Sequence, residues 1–171
     1  MALQPLRPTP ADNRPVYAVA GGNHVTMLLD RSESGGTLDV IEVLAQPGGG
    51  PPPHRHEFGE FFEVLEGELT LSEERAGVIV CTRVLGVGDT VWIAPGTFHG
   101  TLNLSDAITR FTVVGQPGLM SGYFAEAGVP VPDPLTQPER RPAGPDRLGA
   151  IAARWGIEFW RGPVDVTPPP L

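Results

Sequence analysis

Between positions 16 and 114 the apolar residues come in short runs, many alternating with polar ones, each bounded by Gly, Pro, Asn, Asp or Ser. A period of two, with Val, Ile, Thr and aromatic enrichment, predicts strands at 16–19, 25–29, 38–44, 60–65, 68–71, 78–85, 90–93, 98–102 and 108–114. Glu66-Gly67-Glu68 and Gly86-Val87-Gly88-Asp89 read as tight turns between antiparallel neighbours. Strands this short and this regularly spaced predict an all-β sandwich or barrel.

Past position 114 the period changes. Leu119, Tyr123, Phe124 and Ala127 recur at helical spacing, closed by Gly128 and Pro130. A Pro-rich stretch, 129–145, leads to a second helix whose apolar face is Leu148, Ile151, Ala152 and Trp155, with Pro145 at its start and Gly156 as its stop. Ile157-Glu158-Phe159-Trp160 predicts a final strand, and 167–171 a frayed end. Both helical stripes read as packing surface, to be buried on the barrel or on a partner subunit. The expected organisation is an extended Pro-rich arm (1–15), a barrel (16–114) and a Pro-rich extension with two short helices (115–171).

Composition narrows the function. The 171 residues include 22 Gly and 20 Pro, a density of chain breakers that argues against a helical bundle. Net charge is −8 and all twelve cations are Arg. Without lysine, Schiff-base chemistry and a Walker-type phosphate site are excluded. An acidic chain with no basic cluster is not a nucleic-acid or anionic-membrane binder. The single cysteine, Cys81, lies in an apolar run and reads as a buried, inert thiol, with no partner for an internal disulfide. No apolar run is long enough to cross a membrane and the first residues do not look like a signal peptide, so a cytoplasmic protein is expected.

Three of the four histidines fall into one pattern. Gly48 is followed by His54-Arg55-His56, Glu60 and Gly67; further on come Gly88, Gly96, His99 and Asn103. His54 and His56, two apart, share one side of an extended chain. Glu60 needs a turn through Glu57-Phe58-Gly59 to reach that side, and His99 must arrive from another strand. Three imidazoles and a carboxylate suit one divalent transition metal per chain (Ni, Fe, Mn, Zn or Cu) and not Ca or Mg. His24, outside the pattern, reads as a strand-end or surface histidine.

These two segments resemble the paired motifs of the cupin superfamily, which implies a double-stranded β-helix, or jelly-roll barrel, here with a short helical C-terminal extension. Matched residue by residue, the resemblance implies metal ligation by His54, His56 and Glu60 from the first motif and His99 from the second. One departure stands out: Ala94-Pro95-Gly96 places Pro directly before Gly, where the family usually has it two residues earlier. The layout is also similar to small bacterial cupins of the quercetin 2,3-dioxygenase-like type. That likeness implies an oxygenase acting on a small hydroxylated aromatic of flavonol type, with O₂ as co-substrate and Glu60 as the catalytic base.

Four protein ligands would leave about two metal positions open for substrate and O₂. If the strands are regular, Phe62 and Val64 share parity with Glu60, and Thr101 with His99, making these three candidate substrate-binding residues. Two other readings use the same residues: a redox-free cyclase, isomerase or lyase, and a non-catalytic small-ligand-binding protein or sensor. Cupins commonly pair through their sheet faces, so a homodimer is expected.

Overall fold

The structure, a computed structural model, describes residue 10, residues 13–138 and residues 142–169. The extended arm expected at 1–15 lies largely outside the described residues, as do the last two residues of the frayed end. The alternating segments form β1 (Val16–Val19), β2 (Asn23–Leu29), β3 (Asp39–Ala45), β4 (His54–His56), β5 (Gly59–Glu66), β6 (Leu69–Arg75), β7 (Val78–Leu85), β8 (Thr90–Ile93), β9 (His99–Leu102) and β10 (Thr109–Gln116). Helix α1 (Met120–Ala127), β11 (Val129–Val131), α2 (Pro145–Arg154), β12 (Ile157–Phe159) and β13 (Val164–Asp165) follow.

Two curled sheets face each other. One runs β11-β1-β2-β3-β10-β5-β8 and the other β12-β4-β9-β6-β7-β13. All pairings are antiparallel except β13 with β7. Burial alternates strictly along β3 and β10, as the period of two requires. The buried rows put Ile41, Val43, Phe62, Val64, Phe111 and Val113 of the first sheet against Leu69, Leu71 and Leu85 of the second. Burial of each such side chain contributes about 1.5–3 kcal/mol, which makes this interior the main source of stability.

Both predicted turns reverse the chain, but neither joins paired strands. Gly67 carries the chain from β5 in one sheet to β6 in the other, and Gly86–Asp89 carries it back from β7 to β8. Glycine at positive φ makes a reversal possible without deciding which sheet receives the next strand. The tight hairpin is β6–β7 instead, where Ala76 (φ 50°) and Gly77 (φ 83°) form a two-residue type I′ loop. Three strands escaped the sequence pattern: β4, β11 and β13. His24 sits at the start of β2, yet it is buried rather than on the surface, with its Nε2 3.0 Å from the Thr136 carbonyl. Cys81 is half-buried, and burial, helped by Asp165, raises its thiol pKa.

Both helices form where expected. α1 has no side-chain cap of its own. The fully buried Asp39 of β3 supplies one from across the fold, accepting from the Ser121 amide at 3.0 Å and the Ser121 hydroxyl at 2.9 Å. A carboxylate there also complements the positive end of the helix. α2 begins with Pro145 at its first turn and ends before Gly156 (φ 70°). Leu148, Ile151 and Ala152 are buried, and Trp155 packs over Gly122 of α1, where any Cβ would collide with its ring. Glu126 of α1 accepts from the Trp155 indole at 2.9 Å and pairs with Arg154.

The chain after α2 is woven into the second sheet. β12 pairs along the whole length of β4: Ile157 with His56, Glu158 with Arg55, Phe159 with His54. Deleting residues 145–171 should therefore remove the partner of β4 and uncover the wall that Leu148, Ile151 and Ile157 bury. Three such side chains represent roughly 5 kcal/mol, or about 10–20 °C of melting temperature for a chain this size. Thermal unfolding and light scattering of the truncated protein measure it; an unchanged melt would mean that this packing contributes nothing. Among the described residues no helix is long and apolar enough to cross a membrane.

Candidate metal centre and its cavity

The site is assembled from both sheets. β4 supplies His54 and His56, which are two residues apart and therefore on one side of the strand. β9 supplies His99, directly opposite His54 in register. β5, from the facing sheet, supplies Glu60, flanked in its ladder by Gly115 of β10 and Ile93 of β8. The turn before His99 resolves the departure at Ala94-Pro95-Gly96. The Thr97 amide donates to the Ala94 carbonyl at 3.3 Å, with Gly96 at φ 78°, so Pro95 and Gly96 occupy the two central positions of a type II turn. The Gly96 amide then donates to the His56 carbonyl at 2.7 Å, tying the two histidine segments together. Asn103 is structural: it is fully buried, and its amide donates to the Ala45 and Ala107 carbonyls.

The ligand atoms of His54, His56 and His99 lie within 4.8 Å of one another. Each ring has its Nδ1 against a backbone carbonyl: His54 against Pro52 (2.9 Å), His56 against Phe58 (2.7 Å) and His99 against Thr97 (2.9 Å). A carbonyl only accepts, so each Nδ1 carries a proton and each ring turns its Nε2 toward the cluster. Metal-binding histidines are oriented by this kind of outer hydrogen bond. His56 is further held by stacking on Phe58, with centroids 3.7 Å apart. Glu60 Oε2 stands 3.1 Å from His56 Nε2 and 3.1 Å from His99 Nε2.

The arrangement is short of positive charge. His56 Nε2 is buried and has no hydrogen-bond partner; its contact with Glu60 is close, but the angles are not those of a hydrogen bond. Burial lowers the His54 pKa to about 3, aided by the nearby His99. Burial also acts to lower His99, but hydrogen bonding to Glu60 outweighs it and leaves His99 raised. For Glu60, burial pushes up while His56 and His99 pull down more strongly, so it stays ionised below the usual carboxylate range. Three lone pairs and a carboxylate thus converge on at most one shared proton. A divalent transition metal fits that donor set, and His99 would give up its proton on taking one.

A cavity of about 100 Å³ opens beside this cluster, lined by His54, His56 and Glu60. Of the candidate substrate residues, Phe62 and Thr101 line it. Val64 does not: one inward position further along β5, it is packed into the core, 1% exposed. The sequence pattern missed the opposite wall, which consists of Met120, Tyr123 and Phe124 of α1, Leu148 of α2, and Ile157 and Phe159 of β12. Helical spacing did single out Tyr123, Phe124 and Leu148, but the same period marks a core face and a cavity face alike. No Arg side chain lines the cavity.

Residues 41–115 match the cupin domain family (Cupin_2). Solved structures agree on the fold. Oxalate oxidase aligns at 26% identity and a TM-score of 0.50 over 59% of this chain and 54% of its own. The polyketide cyclase RemF from Streptomyces resistomycificus aligns at 24% and 0.52 over 67% and 80%. An RmlC-like cupin from Shewanella frigidimarina aligns at 21% and 0.52 over 64% and 88%. The aligned part spans about half of the oxalate oxidase chain. Among curated proteins nothing matches. The fold is the cupin double-stranded β-helix, and the matches support placing the barrel in the cupin superfamily. The finer likeness to quercetin 2,3-dioxygenase-like proteins finds no support in them.

Proposed function

We propose that this cupin barrel is a metal-dependent oxygenase acting on a small, uncharged hydroxylated aromatic, with His54, His56, His99 and Glu60 holding one divalent transition metal. The observation that carries the reading is the cluster itself: three imidazoles with Nδ1 tied back to carbonyls, and their Nε2 atoms and a carboxylate converging beside an apolar cavity. When bound, the metal would supply Lewis-acid activation of a chelating hydroxyl and a site at which O₂ meets the substrate.

The cavity selects the substrate class by what it lacks. A dianion such as oxalate, or a sugar phosphate, would meet the metal but no cationic side chain to pair with charge reaching further into the apolar cavity, and burying an unpaired charge is costly. A neutral ring matches walls built from Val25, Ile41, Val43, Phe62, Phe111 and Phe159. The volume has room for roughly eight waters at ~10–15 Å³ each, which suits a single ring such as catechol; a flavonol would extend beyond it.

Within that pocket Glu60 is the base. Its carboxylate is buried against the cluster and lines the cavity, so it is the group placed to take the substrate hydroxyl proton. The remaining polar side chains on the wall, Asn23, Thr101 and Tyr123, are not bases near neutral pH. A redox-free isomerase would use the same single carboxylate, taking a proton from one carbon and returning it to another, so oxygen consumption is what separates the two readings. Oxygen uptake by the metal-loaded protein with a panel of catechols tests it. Substrate-dependent consumption of O₂ is expected, and turnover without oxygen loss would replace the oxygenase with redox-free metal chemistry.

A further inference from the structure

Helix α1 turns one face to the cavity, with Met120, Tyr123, Phe124 and Ala127 at intervals of three and four residues. Three of these are apolar and fill space. Tyr123 brings a hydroxyl, and that hydroxyl has no hydrogen-bond partner among the described residues. Tyr123 is half-buried, and burial pushes the phenol up to about 12, with no hydrogen bond contributing. A buried phenol usually finds a partner, because a desolvated unpaired polar group costs about 1–3 kcal/mol. Tyr123 lines the cavity, so a molecule bound there can supply that partner.

Tyr123 is also placed at the right remove. Met120, one turn earlier, packs over Gly115, the residue opposite Glu60 in the ladder. Three residues of helix carry Tyr123 about 4.5 Å along the axis from Met120. A ring held at its hydroxyls beside Glu60 would have Tyr123 among the residues lining the rest of the cavity.

We infer that Tyr123 is a substrate-binding residue whose hydroxyl donates to an uncharged oxygen on the ring edge remote from the metal ligands, so that the preferred substrate is a catechol bearing a carbonyl or hydroxyl at that end. This rests on the reading of the cavity as an aromatic-substrate site. Glu60 and the imidazoles select the chelating edge, and Tyr123 selects the opposite one.

Calorimetric binding to the full chain loaded with zinc, which is redox-inert, tests the assignment without turnover. The probes are 3,4-dihydroxybenzaldehyde and 4-methylcatechol, similar in size but differing in the remote oxygen. The electronic effect of the aldehyde on metal binding is the same in parent and variant, so it cancels when their preference ratios are compared. Tyr123→Phe keeps the ring and should cut the preference for the aldehyde by about fivefold to tenfold, the value of one neutral hydrogen bond. Tyr123→Leu gives the same comparison should the Phe variant fail to fold. An unchanged ratio overturns the role of Tyr123 while leaving the aromatic site standing. A parent protein that binds neither probe overturns both.

Discussion

Glu60→Gln is expected to keep part of its metal through the three histidines and to lose roughly 10²–10⁴-fold in turnover of a catechol, the range for a lost general base. The amide has nearly the same shape as the carboxylate but carries no charge and accepts no proton. It would therefore still sit against His56 and His99, where Glu60 Oε2 now lies 3.1 Å from each Nε2. Glu63 provides the control. It lies on β5 with the opposite parity, exposed between Thr90 and Thr112. Glu63→Gln should change turnover by less than about twofold, as surface substitutions usually do. Metal analysis alongside steady-state rates separates the two roles of Glu60. A Glu60→Gln enzyme that turns over at the parent rate would show that Glu60 is neither base nor essential ligand.

Removing imidazoles should act on the metal itself. The double variant His54→Ala, His99→Ala leaves only His56 and Glu60 of the converging set. Losing one outer hydrogen-bonding group around a metal ligand already costs 10–100-fold in affinity; losing two ligands should cost more than the square of the smaller figure, over about 100-fold. Mass spectrometry of the purified, untagged protein would read this as a fall from one metal per chain to near none. Full occupancy in the double variant would place the metal elsewhere. The fold should remain, because the interior formed by Ile41, Phe62, Val64, Leu69 and Phe111 does not include the ligands.

Much of this architecture could be read from periodicity, and the exceptions share a physical cause. Alternation located β1, β7 and β8 to the residue, because each has a wet and a dry side or a run of β-branched residues. It passed over β4, whose three residues follow three prolines and contain no aliphatic side chain. It also passed over β11, with Pro130 at its centre, and over the exposed two-residue β13. Such strands exist because a partner edge is available, and no local pattern encodes a partner. The candidate ligands were legible for the opposite reason. His54 and His56 need only an extended chain to share a side, and the φ values of 73°, 76°, 84° and 78° at Gly48, Gly67, Gly88 and Gly96 explain why glycine recurs at those offsets. The cavity was only half legible. Its Glu60 and Phe62 wall follows from strand parity, whereas the Tyr123 and Phe159 wall depends on where a distant segment docks.

The pairing of β4 with β12 has a consequence for biosynthesis. Arg55 and Glu158, which face each other across it 2.7 Å apart, are separated by 103 residues of chain. A ribosome adding about 5–20 residues per second makes His54 and His56 several seconds before the strand that flanks them. During that interval β4 already has β9 available on its other edge, where His54 pairs with His99, while the edge that β12 later covers stays open. All four candidate ligands are made by position 99, whereas Ile157 and Phe159 of the cavity wall come last, so the donor set precedes the wall that closes around it.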